Sequence, residues 1–147
     1  LYQVIVDREV KALSDILRSQ MRPEHSARAV LEGIVVTLLD FIEENADGFH
    51  LLAHQSPTAV RSETFETVMA DIADQVTVFL APLLEKQGLD PASAPVYGQI
   101  LAGGVGQIGQ WWSENMQVDK KLVAAQVTNL LYLGLRGMEK DPQLQTR

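Results

Sequence analysis

Residues 94–116 read APVYGQILAGGVGQIGQWWSENM, and residues 119–140, after a short polar break, read DKKLVAAQVTNLLYLGLRGMEK. Wound at about 100° per residue, the first stretch divides into three sectors. Ile100, Trp111, Tyr97, Ile108, Leu101, Trp112 and Val105 form a bulky apolar sector. Gly98, Ala102, Gly106, Gly109 and Ser113 form a strip of small residues beside it. Gln99, Gln107, Gln110 and Glu114, with Gly103 among them, are left for water. A surface helix ordinarily has one dry face and one wet face, so the strip reads as a second face built for close approach. Five glycines lie between Gly98 and Gly109. Each costs about 1 kcal/mol against Ala inside a helix, so a packing reason outweighs mere tolerance. A transmembrane glycine strip is excluded by the interrupting Gln99, Gln107, Gln110 and Glu114. A phosphate-binding loop is excluded because neither glycine fingerprint is present and no strand precedes the glycines.

The second stretch carries an apolar arc of Val123, Ala124, Val127, Leu130, Leu131, Gly134, Leu135, Gly137 and Met138. Asp119 is a good N-cap, and Arg136 and Lys140 suit the C-terminal end of the helix dipole. Leu122, Leu133 and Tyr132 fall outside the arc among Gln126, Asn129 and Arg136, the mixture expected of a protein contact. The two helices are therefore expected to pack inward on a core and outward on a second copy of the chain. Gly98, Ala102, Gly106, Gly109, Ser113, Val123, Val127, Leu130 and Gly134 are the expected interface.

Upstream, the same helical period recurs. Tyr2 to Ser19 is expected as a first helix on Val4, Ile5, Ala12, Leu13, Ile16 and Leu17. Pro23 is expected to open a second, from about Glu24 to Ala46, with Gly48 as its stop. Between Val30 and Ile42 that helix is apolar around more than half its circumference, which places it centrally. Its C-terminal end carries Asp40, Glu43, Glu44 and Asp47 against the helix dipole, so tertiary packing must hold it. Phe49–Gln55 (FHLLAHQ) reads as a short helical piece. A third long helix runs from Ser62 or Glu63 to about Gln87, bent at Pro82 and stopped at Gly88. No alternating strand pattern of any length occurs. The fold class is all-α: five long helices and one short one in a single domain over residues 1–147, its last two helices forming a dimer four-helix bundle.

Composition narrows the function. The chain has 147 residues, 46% hydrophobic and 21% charged, with no cysteine, which excludes disulfides and thiolate metal sites. A net charge of −7 argues against direct nucleic-acid binding, which wants a basic stripe. Unbroken apolar runs are too short for a membrane span, and a cytoplasmic protein with no membrane partner is expected. His50 and His54 stand four apart, but HLLAH lacks the glutamate and further ligands of a zinc site. Glu43, Glu44 and Asp47 read as a solvated helix end rather than an acid–base pair. No serine sits in a nucleophile elbow. No catalytic, cofactor or metal residues are expected.

With the helices placed, the chain resembles the C-terminal ligand-binding and dimerisation domain of the tetracycline-repressor (TetR) family of bacterial transcription regulators. VGQIGQWWSENM is similar to that family's penultimate helix, and KKLVAAQVTNLLYLGLRGM to its last, with Leu130, Leu131, Gly134 and Leu135 in the recurrent ending. The order of helix lengths agrees along essentially the whole chain. The resemblance implies a helix-turn-helix DNA-binding domain before Leu1, a homodimer, and a small hydrophobic effector whose binding releases the full-length protein from operator DNA. The expected pocket residues are Phe41, Phe49, His50, Leu52, Phe65, Met69, Ile72, Phe79, Leu101, Ile108 and Trp111, with His50, Thr37 and Gln107 as polar anchors. So apolar a set favours a hydrophobic or acyl-chain-like ligand over a charged one. A stand-alone helical lipid-binding protein is the alternative, and a small helical hydrolase using His50, His54 and Glu43 or Glu44 is the third.

Overall fold

In the computed structural model, which describes residues 2–47 and 65–146, the chain folds into five α-helices, with no strand among the described residues. They are α1 (Tyr2–Ser19), α2 (Ala27–Glu44), α3 (Phe65–Lys86), α4 (Ala94–Ser113) and α5 (Lys120–Arg136), with a 3-10 turn at Pro91–Ser93 leading into α4. The short piece expected at Phe49–Gln55 lies outside the described residues.

The helix boundaries follow local chemistry. Ser26, not Pro23, starts α2: its side chain accepts a hydrogen bond from the Ala29 N–H at 3.1 Å, satisfying a first-turn donor. Pro23 stays in the preceding turn. At the end of α3, Gly88 takes φ +79°, the left-handed region that costs glycine least. The Leu89 N–H reaches back to the Leu84 carbonyl at 2.8 Å and the Gly88 N–H to Glu85 at 3.0 Å. Leu89 is thereby laid against the core beside buried Leu84. Asp119 caps α5 through the Lys121 N–H, and α5 stops at Arg136, with Gly137 as its C-cap.

One hydrophobic core joins all five helices. Val35, Leu38, Leu39 and Ile42 of α2 are each 1% exposed or less, so α2 holds the central place its sequence predicts. Fully burying such a side chain stabilises by about 1.5–3 kcal/mol. Leu13 and Leu17 anchor α1 to this core, and Arg18 of α1 pairs with Asp71 of α3. By length and composition α3 could cross a membrane, which a reading by unbroken apolar runs does not register. Here Phe65, Val68, Met69, Ile72, Ala73, Val76, Leu80 and Leu84 of α3 are buried in the core.

The main correction concerns α4. Its small-residue strip faces inward, not toward a second copy. A Cβ on Gly98 would stand 2.4 Å from Thr77 Oγ1 and 3.1 Å from the Ala73 carbonyl oxygen, both on α3. One on Gly109 would stand 2.8 Å from Leu38 Cδ2 of α2, and one on Gly106 would stand 3.1 Å from Met69 Cγ. Ala102 and Ser113 are buried with them, the Ser113 hydroxyl donating to the Gln110 carbonyl of its own helix. Gly98 lets α4 approach the α3 backbone, and Gly106 and Gly109 make room for side chains of α3 and α2. Part of the bulky sector is turned outward: Ile100 is 57% exposed and Trp111 44%, while Leu101, Val105 and Trp112 point in and Tyr97 and Ile108 pack at the edge of the core.

Candidate functional site: an apolar cavity and an open groove

Two concave features stand on this frame. The first is an interior cavity of about 40 Å³. Val30, Leu31 and Ile34 of α2 form one wall, and Met69, Ile72, Val76, Phe79 and Leu80 of α3 another. Leu101, Ala102 and Val105 of α4 close the back, while Met21, Ala27 and Leu135 stand at its ends. Every lining residue is apolar. A space this small holds little more than one water-sized volume of about 30 Å³, so a ligand must widen it. Met21, Met69 and Phe79 can yield: methionine is unbranched and adaptable, and Met21 and Phe79 are only partly buried. The same two residues line an outer groove of about 620 Å³ with Gln75, Pro82, Glu85 and Lys86.

The second feature is a groove of about 530 Å³ between α4 and α5. Gln107, Ile108 and Trp111 line it from α4, and Val123, Gln126, Val127, Leu130 and Leu131 from α5. These helices diverge because each packs on a different neighbour, α4 on α3 and α5 on α2. Leu130 is 73% exposed, with Leu133, Leu122 and Ile100 also uncovered. The Trp112 indole N–H donates to the Val118 carbonyl at 2.9 Å and fixes the turn joining the two helices.

The acidic end of α2 is not simply solvated. Lys120, in the first turn of α5, reaches Asp40 at 2.7 Å and Glu43 at 2.9 Å. Its hydrogen bonds to Asp40 and then to Glu43 hold the ammonium well above the usual lysine range. That contact is the tertiary support the helix dipole requires there. Among the described residues, no group of three or more His, Cys, Asp or Glu is placed to hold a metal ion.

The expected pocket residues separate into groups. Met69, Ile72, Phe79 and Leu101 line the cavity together. Phe41 and Phe65 are buried core residues outside its lining. Ile108, Trp111 and the anchor Gln107 belong to the groove between α4 and α5, a correction that follows from the rotation of α4. Thr37 lines neither feature, and Phe49, His50, Leu52 and His54 lie outside the described residues. Of the expected interface, Val123, Val127 and Leu130 line the groove, and Gly134 is exposed with open space around it. The expected set favours aromatics and omits the aliphatic wall of α2, although Val30, Leu31 and Ile34 follow the spacing of one helical face.

No family model matches the chain, and no curated protein matches it. The functional reading rests on the cavity, the groove and the charges around them.

Proposed function

We propose that this chain is the effector-binding and homodimerising domain of a transcriptional repressor of the TetR type, taking a small hydrophobic ligand in the cavity. The observation that carries the reading is the pairing of two apolar features in one small fold: a small, wholly apolar cavity among α2, α3 and α4, and a wider groove on α4 and α5. A wholly apolar space suits an apolar ligand. An uncovered groove bearing Leu130 and Trp111 suits a second copy of the same surface, since a two-fold contact is self-complementary.

In this reading the two functions are mechanically linked through α4. Ala102 and Leu101 line the cavity while Trp111 and Ile108, farther along the same helix, line the groove. The cavity is small, so ligand binds a widened state and draws the population toward it. Widening displaces α1 and α2 relative to α4. A helix-turn-helix head joined to α1 would then change its spacing from the head of the mate, and half-sites about one DNA turn apart tolerate little change.

Sedimentation velocity of the purified chain, with and without Leu130→Glu, tests this. The expected result is a dimer at micromolar concentration that becomes a folded monomer on substitution. A parent chain that sediments as a monomer throughout that range refutes the dimer half of the proposal.

A further inference from the structure

Arg28 of α2 and Arg136 of α5 both stand over the ring of Tyr132, their guanidinium carbons 5.8 and 5.9 Å from its centroid. Acidic residues outnumber basic ones by 19 to 12 in this chain, yet among the described residues neither arginine belongs to an ion pair. Two guanidiniums brought to one ring repel each other, and the face of the ring offsets only part of that. An anion shared between them would remove the repulsion, and guanidinium is well shaped to hold a carboxylate or phosphate.

The position of the pair gives it meaning. Ala27 and Leu135, the chain neighbours of Arg28 and Arg136, line the apolar cavity. The arginines therefore stand one residue from the cavity lining on both helices. Lys86 lines the groove shared through Met21 and Phe79 together with Glu85, whereas Arg28 and Arg136 have no ion-pair partner among the described residues.

We propose that the ligand is an anionic single-chain amphiphile, its hydrocarbon tail in the cavity and its acid head on Arg28 and Arg136. This rests on the effector-binding reading above and sharpens it. The cavity wall excludes charge from the interior, and the arginines accept it at the mouth. Tyr132 holds the two side chains at one place before the ligand arrives. The small cavity widens by displacement of Met21 and Met69 as the tail enters.

Calorimetric titration with sodium decanoate and with 1-decanol, both below their aggregation concentrations, tests the assignment. Decanoate should bind about tenfold more tightly than decanol at neutral pH and low salt, the effect of two partly exposed charge contacts. The double variant Arg28→Gln/Arg136→Gln should bring decanoate to the level of decanol and leave decanol unchanged. Both arginines are exposed, so the urea midpoint should stay within experimental scatter and report that the fold is intact. Ala27→Phe, at the partly exposed mouth, should abolish binding of both compounds. Equal binding of the two compounds, with no effect of the double variant, overturns the head-group assignment and leaves the hydrophobic-effector reading standing. Decanoate binding that survives Ala27→Phe places the tail elsewhere and overturns the proposal. Binding of neither compound overturns it together with the reading on which it rests.

Discussion

Gly98→Ala should destabilise the fold although it replaces glycine with the best helix former. On helix propensity alone the change gains about 1 kcal/mol. The added methyl, however, would lie 2.4 Å from Thr77 Oγ1, 3.1 Å from the Ala73 carbonyl oxygen and 3.3 Å from the Thr77 amide nitrogen. Two of those atoms are backbone and cannot rotate away. The hydroxyl is itself committed, donating to the Ala73 carbonyl at 2.8 Å. A clash with fixed backbone atoms falls in the upper part of the overpacking range, about 2–3 kcal/mol, so the net loss should be about 1–2 kcal/mol once the propensity gain is set against it. Gly106→Ala is the control within the same strip. Its new methyl meets only Met69 side-chain atoms, at 3.1–3.6 Å, and methionine can move. That variant should fall within about 0.5 kcal/mol of the parent, packing cost and propensity gain nearly cancelling. Urea unfolding followed by circular dichroism separates the two. With a slope of about 1–3 kcal/mol per molar urea, Gly98→Ala should lower the midpoint by about 0.5–1 M at unchanged slope. A Gly98→Ala chain as stable as the parent would refute the backbone contact between α3 and α4.

Three further perturbations test other parts of the account. Lys120→Met removes the clamp on Asp40 and Glu43 and should cost about 1 kcal/mol, these being partly exposed pairs, read as a lower urea midpoint. Because the folded Lys120 is held above the ordinary lysine value of 10.5, the stability it adds is fully present below that value. It is lost as pH rises above 10.5, so parent and Lys120→Met should converge in stability under strongly alkaline conditions. Trp112→Phe removes the indole hydrogen bond to the Val118 carbonyl and should lower stability by about 1–3 kcal/mol, with faster amide exchange in the turn at 114–119. Leu101→Ala should cost about 2–5 kcal/mol by enlarging the cavity, and a saturating apolar ligand should recover part of that in a thermal shift assay.

The sequence and the structure agree where local chemistry decides. Capping at Asp119, the glycine stop at Gly88 and the apolar circumference of α2 are short-range signals, and each helix stands within a few residues of its expected place. They diverge over which side of α4 is inside. Hydrophobicity sends bulky residues to the core, and on that rule Ile100 and Trp111 belong in and the glycines out. The contact with α3 reverses the assignment, because Gly98 lays α4 against the Ala73 and Thr77 backbone, while Gly106 and Gly109 admit Met69 of α3 and Leu38 of α2. The period of the strip marks a close contact on α4, but which helix fills it depends on tertiary packing. The cavity was legible only through α3 and α4, at Met69, Ile72, Phe79 and Leu101. The Arg28–Tyr132–Arg136 cluster joins residues more than a hundred positions apart, and no spacing in the chain announces it.

Native mass spectrometry of the purified chain addresses dimerisation and ligand binding at once. The subunit mass is 16.2 kDa. The account predicts a species at twice that mass at micromolar concentration, carrying a further increment when an apolar ligand is retained or added. A single species at 16.2 kDa, unchanged by concentration and by hydrophobic ligands, would contradict it.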